Sequence, residues 1–322
     1  MSNSKVDRKD KKYKCKLLPY ERTECLSVLD ANQKAGWGIT AFNLPDAWNY
    51  TQGEGVVIAV VDTGCDLDHP DLIDNLVEGV NFVKPGTPPD DDNCHGTHVT
   101  GILVAENNGI GMVGVCPMAK VMPIKVLNSK GTGNLIDVAQ GVIWAADHGV
   151  DIITMSLGSP MKIQQVRKAI QYAASKNIVT FVAAGNAGNT KEIFYPANYP
   201  ETISIGAIDE NFNRAKFSNT GRNLDFMAPG VDIFSTVPDN WYATLSGTSM
   251  ACPFAVGVAA LVLSYTKKGK VKLKLENADD YRNIFRNHTI GTAEKYDDPK
   301  FYEGFGIIDP RKIMDSFDKA QS

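Results

Sequence analysis

The sequence of 322 residues lacks the usual features of exported, membrane-spanning and zinc-thiolate proteins. Its six cysteines are spread over the whole chain without a C-x-x-C pair, so we expect reduced thiols and no thiolate zinc site. No uninterrupted apolar run reaches the roughly 18 residues that a membrane span needs. The first 16 residues are charged and no apolar stretch follows them, so we expect no secretory signal, no membrane contact and a cytoplasmic protein.

A large excess of one charge is also absent. The 33 basic and 37 acidic residues give a formal net charge of −4, which is no reason to expect nucleic acid as a partner. Hydrophobic residues make up 43% of the chain and charged residues 22%, which is typical of globular proteins and excludes wholesale disorder.

Short apolar runs alternate with segments of helical periodicity from about residue 37 onward. Strands buried on both faces are predicted at 56–61, 121–126, 152–155, 179–184 and 203–208. Between them, apolar residues recur at intervals of three and four at 135–146 and 166–173. This order predicts an α/β fold with a mostly parallel sheet, helices on both faces and a site at the carboxyl ends of the strands.

The segment 251–263 is apolar and rich in small residues, which predicts a long buried helix. The lysines that follow predict a solvated loop or an edge strand, and 267–300 has no pattern that assigns it a structure. Neither a repeat nor a low-complexity linker divides the chain. We therefore expect one domain at 33–322, preceded by a short extension at 1–32.

Three short motifs supply a carboxylate, an imidazole and a hydroxyl. Asp62 ends the first predicted strand, His95 begins a predicted helix, and Ser249 begins the buried helix. A serine hydroxyl becomes a nucleophile at neutral pH when an imidazole takes its proton and a carboxylate orients that imidazole. A serine at a helix N-terminus also lies beside free backbone N–H groups that can stabilise an oxyanion.

Each motif alone has other interpretations. Asp62 could cap a turn, His95 and His98 could be metal ligands in an H-x-x-H pair, and Ser249 could be a helix N-cap. A nucleotide-binding fold is disfavoured, because no G-x-x-x-x-G-K-[ST] loop follows a strand. The order of aspartate, histidine and serine along the chain favours the catalytic interpretation.

The motifs V-D-T-G at 61–64, H-G-T-H-V at 95–99 and G-T-S-M-A at 247–251 resemble those of the subtilisin-like serine proteases, the subtilase or S8 family. The resemblance extends from about residue 33 to 310 and implies the family's three-layer α/β fold. It implies that Asp62 orients the imidazole, that His95 is the general base and acid, and that Ser249 is the nucleophile. The A-A-G-N segment at 183–186 resembles another motif of the family, and this resemblance implies that Asn186 is the side-chain donor to the oxyanion.

The resemblance also implies how protein or peptide substrates bind. Backbone pairing with substrate and contacts in the specificity pockets are expected from Gly131, Gly133, Leu135, Ser156, Leu157, Gly158 and Phe194. Phe194 stands where many relatives have a small residue at the base of the first pocket, which predicts a shortened pocket.

Calcium is the cofactor that the resemblance implies. The N-N-G-I-G segment at 107–111 resembles the family's calcium loop, and its oxygen donors suit calcium. The expected ligands are the side chains of Gln33, Asp71 and Asn108 and the carbonyls of Glu106, Ile110 and Met112. A weaker second cation site is expected from the carbonyls of Ala197, Tyr199 and Thr202 near Asp225.

The L-L-P-Y sequence at 17–20 resembles the L-I-P-Y element of the intracellular subtilisins. This similarity implies that the N-terminal extension lies across the active site as an inhibitor and that trimming between about Tyr20 and Gln33 activates the enzyme. Members of that group are often dimers, so a homodimer is a further expectation. The rival interpretation is a binding module that keeps the peptide groove without catalysis.

Overall fold

The computed structural model describes residues 14–27, 32–188 and 191–319. Residues 1–13 and 28–31 of the predicted extension therefore lie outside the described residues. The described strands are β1 (Lys14–Leu17), β2 (Glu21–Ser27), β3 (Val57–Asp62), β4 (Val80–Asn81), β5 (Lys120–Lys125), β6 (Thr132–Asn134), β7 (Ile152–Met155), β8 (Leu157–Gly158), β9 (Val179–Ala183), β10 (Thr202–Ile208), β11 (Phe226–Pro229), β12 (Ile233–Val237), β13 (Trp241–Ser246), β14 (Thr289–Ile290) and β15 (Ile307–Ile308).

The described α-helices vary in length from one turn to more than five turns. They are α1 (Trp37–Ala41), α2 (Leu44–Trp48), α3 (His95–Val104), α4 (Leu135–Asp147), α5 (Gln164–Ala174), α6 (Thr248–Lys267), α7 (Ala278–Arg286), α8 (Pro299–Glu303) and α9 (Pro310–Lys319). A 3₁₀ turn covers Ile73–Asn75.

The central sheet contains nine strands in the order β14-β15-β11-β10-β9-β7-β3-β5-β4. All neighbours are parallel except β14, which is antiparallel to β15. From β3, the chain first adds β5 and β4 on one side and then builds β7, β9, β10, β11 and β15 on the other. The carboxyl end of β3 is therefore at the point where the winding reverses, which is where α/β sheets form their binding crevice.

Helices form the two outer layers. Helix α4 packs with α5, and α3 packs with α6, and each pair lies against the sheet. The apolar stripe of α5 is narrow, with Val166, Ala169, Ile170 and Ala173 buried and the other face solvated. The three-layer α/β fold predicted from the sequence is confirmed, and the five predicted strands agree with the observed ones within one residue at each end.

Helix α6 is the core helix of the domain. It covers 20 residues, three more at its start and four more at its end than the sequence predicted. By length and composition it could cross a membrane, but 94% of its most apolar window is buried inside the fold. Its apolar surface is therefore covered by the protein itself.

The segment 267–300 contains structure that the sequence did not predict. Helix α7 begins after Asn277, whose side chain accepts hydrogen bonds from the N–H groups of Asp279 and Asp280. Tyr281 and Phe285 bury its inner face. The lysine-rich part before it forms a loop and no strand.

The extension forms two small sheets with the domain. Strand β1 lies between β6 and β8, and β2 lies beside β13 in a sheet of order β12-β13-β2. The described strands of the extension are therefore bound to the domain by backbone pairing.

Because α6 is closely packed, we expect a single methyl group added at Gly257 to destabilise the fold. A Cβ atom on Gly257 would lie 2.5 Å from two carbon atoms of Val115. We expect Gly257→Ala to lower the free energy of unfolding by about 1–3 kcal/mol, because the core has no room for the added volume. Urea unfolding in a Ser249→Ala background, which prevents self-digestion, measures this change.

Gly291→Ala is the matched control, because nothing lies within 4 Å of its added Cβ. We expect it to change the free energy of unfolding by less than about 0.5 kcal/mol. Equal effects of the two substitutions would contradict the packing argument.

Candidate active site

A buried hydrogen bond joins Asp62 and His95. Asp62 is the last residue of β3 and His95 is the first residue of α3, and the two side chains are 1% and 0% exposed. His95 Nδ1 donates to Asp62 Oδ1 over 2.8 Å, and the Thr63 N–H donates to the same oxygen over 2.7 Å. Because Nδ1 carries the proton in this bond, Nε2 of the neutral ring is the acceptor nitrogen.

Ser249 lies in the first turn of α6 and is fully buried. Its hydroxyl donates to the Ser156 carbonyl over 3.2 Å, and the Ser156 hydroxyl donates to the Ser249 carbonyl over 3.1 Å. His95 Nε2 is a buried nitrogen without a hydrogen-bond partner. The structure therefore pairs the predicted carboxylate with the imidazole, while the hydroxyl of the predicted nucleophile donates to the backbone of Ser156, between β7 and β8.

Asn186 follows β9 at the same edge of the sheet. Its Oδ1 accepts hydrogen bonds from the Thr248 N–H over 2.9 Å and from the Thr248 hydroxyl over 2.6 Å. These two bonds orient the amide so that Nδ2 donates to the carbonyl of Pro19 over 2.7 Å. Thr248 precedes the predicted nucleophile in the same motif, but no sequence pattern indicated its contact with Asn186.

The first half of the extension pairs with the segments expected to bind substrate. In β1, Cys15 is opposite Gly133 of β6 and Leu17 is opposite Leu157 of β8, both in antiparallel register. The Leu17 N–H also donates to the Gly131 carbonyl over 2.8 Å. An extended chain therefore lies between the two predicted substrate strands.

Leu18 is the most deeply buried side chain of this bound segment, at 2% exposed. A Cβ atom on Gly158 would lie 3.2 Å from Leu18 Cδ2 and 3.4 Å from Phe194 Cβ. Leu18 and Phe194 therefore share the space beside Gly158, where the first pocket is expected. Leu135, expected near an outer pocket, is buried at the start of α4.

Tyr20 covers the imidazole from the cleft side. Its ring centroid lies 5.2 Å from that of His95, and its hydroxyl lies 3.6 Å from Cys94 Sγ. Burial raises the pKa of Tyr20 above its ordinary value, so the hydroxyl stays protonated. Tyr20 is the last residue of the L-L-P-Y motif, but nothing in the sequence indicated its contact with His95.

His98 has a structural environment. It is fully buried, and its Nε2 donates to the carbonyls of Ile233 and Ala243, each over 3.1 Å. Burial lowers the pKa of His98 to about 3, so its ring is neutral. Since His95 bonds Asp62 and His98 bonds two carbonyls, the H-x-x-H metal interpretation has no support in the geometry.

The expected calcium ligands converge in one place. Gln33 Nε2 donates to the carbonyls of Glu106 and Met112 over 2.7 and 3.3 Å, and Gln33 Oε1 accepts from the Gly109 N–H over 3.3 Å. Asn108 Oδ1 accepts from the Ile110 N–H over 3.1 Å within the same loop.

Asp71 is the carboxylate of this group and is fully buried. Its Oδ2 accepts from the Met112 N–H over 2.9 Å and from the Tyr242 hydroxyl over 2.8 Å, whereas Oδ1 is buried without a partner. Burial raises the pKa of Asp71, because the charged form is desolvated. One orphaned carboxylate oxygen among amide and carbonyl oxygens fits a calcium ion. No cluster of three His, Cys, Asp or Glu side chains suited to a metal occurs among the described residues.

The second cation site expected from the sequence is not supported, because a guanidinium already uses its key atoms. Arg282 Nε donates to Asp225 Oδ1 over 2.9 Å, and Nη2 donates to Asp225 Oδ2 over 3.2 Å and to the Thr202 carbonyl. The carbonyls of Ala197 and Tyr199 accept hydrogen bonds from the Thr202 hydroxyl over 3.1 and 2.9 Å. The charge of Asp225 is therefore neutralised by the chain itself.

Comparison with known proteins identifies the family of the chain. A model of the subtilase family matches residues 53–307. The chain is 45% identical over 233 residues to a protein of Paenibacillus polymyxa called intracellular serine protease. The matched region covers 70% of the chain and 72% of the relative.

Two further relatives match over longer parts of their own length. Subtilisin Savinase of Lederbergia lenta is 41% identical over 278 residues, covering 86% of the chain and 97% of the relative. Thermitase of Thermoactinomyces vulgaris is 41% identical over 246 residues, covering 76% of the chain and 88% of the relative. With most of its length matched in this way, the chain belongs to the subtilase family and is a subtilisin-like serine protease.

Proposed function

We propose that this protein is a cytoplasmic serine endopeptidase that cleaves peptide bonds through an acyl-enzyme. In this mechanism Ser249 Oγ attacks the substrate carbonyl while His95 Nε2 takes its proton, and His95 then gives that proton to the leaving amine. Water hydrolyses the ester by the same route in reverse. The observation that carries the proposal is the Asn186 amide, which holds a peptide carbonyl beside the buried Asp62–His95 pair.

One rearrangement precedes the attack in this mechanism. The Ser249 hydroxyl has to exchange its bond with the Ser156 carbonyl for one with His95 Nε2, which has no partner while the extension is bound. Catalytic hydrogen bonds commonly tighten only in the substrate complex. The Tyr20 ring over His95 is part of what the substrate has to replace.

The second part of the proposal is autoinhibition: the extension at 1–32 inhibits the catalytic domain at 33–322. In a productive complex, the side chain in the first pocket and the carbonyl in the oxyanion hole belong to the same residue. Here Leu18 lies beside Gly158 and Phe194, whereas Asn186 holds the carbonyl of Pro19. The chain is therefore shifted by one residue at the bond that would be cut, which supports inhibition without cleavage.

Calcium binding by the loop at 106–112 forms the third part. Asp71, Gln33 and Asn108 would hold the ion with the carbonyls of Glu106, Ile110 and Met112, and the bound ion would compensate the charge of the buried Asp71 carboxylate. The ion would tie Gln33, next to the extension, to this loop. Its role would be stability rather than chemistry.

Protein or peptide substrates follow from the enzyme class. The first pocket of the cleft favours substrate side chains of a certain size. Phe194 fills part of the first pocket, so medium-sized aliphatic residues such as Leu18 fit it better than large aromatic ones. The alternative is a groove that binds peptides without cutting them. The homodimer stays a hypothesis, since the described residues give no interface.

Labelling of Ser249 by a fluorophosphonate tests both the catalytic and the inhibitory proposals. We expect the rate of labelling at Ser249 to be at least about tenfold lower in the full chain than in a chain lacking residues 1–25. The reason is that a tethered inhibitor is present at a high effective concentration. Mass mapping of the labelled peptide identifies the residue. No labelling of the shortened chain would indicate a groove that binds peptides without catalysis.

Two substitutions in the full chain refine this experiment. Leu18→Asp places a charge in an apolar pocket and should accelerate labelling, whereas Lys16→Asp changes an exposed side chain of the preceding strand β1 and should not. Equal labelling rates for full-length, shortened and Leu18→Asp proteins would refute autoinhibition.

Asn186 offers a test of oxyanion stabilisation. Asn186→Leu removes the amide donor, and we expect kcat to fall by about 10²–10³, the loss known for such a donor in subtilisin, with a much smaller change in KM. Steady-state hydrolysis of a chromogenic peptide measures both constants. The conservative control is Asn186→Asp, which keeps an acceptor for Thr248 but cannot donate at neutral pH, and it should lose as much of kcat.

Removal of calcium should lower thermal stability. A ligand present at 100 times its Kd stabilises the folded state by about 2.7 kcal/mol, so excess chelator should lower Tm of the Ser249→Ala protein by several degrees. Asp71→Asn should abolish this response, whereas Asp74→Asn, an exposed neighbour, should keep it. An unchanged Tm in chelator, with metal-free protein confirmed, would contradict the proposal.

A further inference from the structure

The second half of the extension binds along the edge of the hairpin β12–β13. Strand β2 is antiparallel to β13, with paired positions from Glu21 opposite Ser246 to Ser27 opposite Trp241. Among the described strands, β13 has β12 as its other neighbour. When β2 leaves, one edge of β13 therefore loses its backbone partners, and an exposed edge is a template for a new strand.

This edge continues the cleft past the bond that would be cut. The extension runs without a break from β1, through Pro19 and Tyr20 over Asn186 and His95, into β2. Ser246 lies three residues before Ser249, so Glu21 binds directly beside the nucleophile on the leaving-group side. The position of β2 is therefore the position of substrate residues that follow the cleaved bond.

A cavity of about 500 Å³ lies beside β2, and the cation Arg22 is one of its lining residues. The other lining residues include Asp91, Asp92, Asp239 and Trp241. Arg22 is the third residue after Pro19, the residue whose carbonyl Asn186 binds. The extension therefore presents a basic side chain to this cavity from a substrate-like strand.

The cavity wall keeps an excess of negative charge. Lys125 is the cation that pairs with Asp92, at 2.6 Å. The Asp91 carboxylate is held by the N–H and hydroxyl of Thr97, over 2.9 and 2.7 Å. The side chain of Asp239 is exposed on the turn between β12 and β13. A guanidinium or ammonium group is the partner that this wall favours.

We propose that, once the extension is released, the cavity beside β13 binds a basic side chain at the third residue after the cleaved bond of a polypeptide substrate that lies along this edge as an added strand. The proposal rests on the endopeptidase function proposed above and adds a substrate class to it. Extended, unfolded polypeptides satisfy it, because a folded segment cannot offer a free strand.

The test uses the full chain, incubated until its activity stops rising, and internally quenched peptides with one common sequence before the cleaved bond. Peptides with two, four and seven residues after that bond should show kcat/KM rising by about tenfold, since each added backbone hydrogen bond contributes modestly. At the third position, Arg should exceed its neutral analogue citrulline by about three- to fivefold at low salt, and less at high salt.

Two controls make the test specific. N-methylation of alternate backbone amides in the seven-residue segment should remove the length effect for one alternate set and leave it for the other, because successive N–H groups of a strand point in opposite directions. Asp239→Asn should reduce the ratio of kcat/KM for Arg over citrulline. Asp297→Asn, an equal change of charge at an exposed position outside this cavity, should keep the ratio.

The outcomes separate this inference from the proposed function. Cleavage of every peptide at one rate, or an Arg preference that is unchanged in Asp239→Asn, overturns the inference and leaves the endopeptidase function intact. Absence of cleavage of every peptide, with no labelling of Ser249, overturns both. A length effect that is equal for the two methylated sets overturns strand addition.

Discussion

The hydrogen bond between Asp62 and His95 is the contact on which the rest of the site depends. Both side chains are almost fully buried, so the carboxylate is surrounded by few competing dipoles and acts strongly on the ring. Its position is fixed by β3, and the neighbouring Thr63 carbonyl is held by the buried ammonium group of Lys125. Strand β3 ends where the winding of the sheet reverses. It therefore places the Asp62 carboxylate at the edge of the sheet, where His95 at the start of α3 contacts it.

The extension shows how much of the binding of a chain in a cleft can come from backbone hydrogen bonds. Before Pro19, β1 lies between β6 and β8, and after Tyr20, β2 lies along β13. These contacts depend little on side-chain identity, which is the property that an enzyme acting on many sequences needs. Under the proposed autoinhibition, the same property would let the protein's own chain compete with substrate.

The sequence predicted the parts of the structure that have a local pattern. Asp62, His95, Ser249 and Asn186 stand in short motifs at strand ends or helix starts, and periodicity located the buried strands. Helix α7 was missed because its buried face consists of few large side chains, chiefly Tyr281 and Phe285.

Contacts between residues far apart in the sequence could not be predicted in this way. Arg282 bonds atoms 57 and 80 residues away, and Tyr20 lies over an imidazole whose neighbourhood forms only on folding. The expectation of a second cation site has the same origin, since the carbonyls could be recognised from the sequence and the Arg282 side chain bound to Asp225 could not. Side-chain partners that no motif links become visible only in the folded chain.

The guanidinium of Arg282 has a consequence for where such a protein can work. A dissolved ion leaves its binding site when the surrounding solution is depleted of it, whereas a covalently attached cation stays at the same local concentration in every medium. The corner of the fold around Asp225 is therefore neutralised from within, whatever ions the solution holds. A protein built in this way keeps that corner intact in a compartment where free divalent ions are scarce.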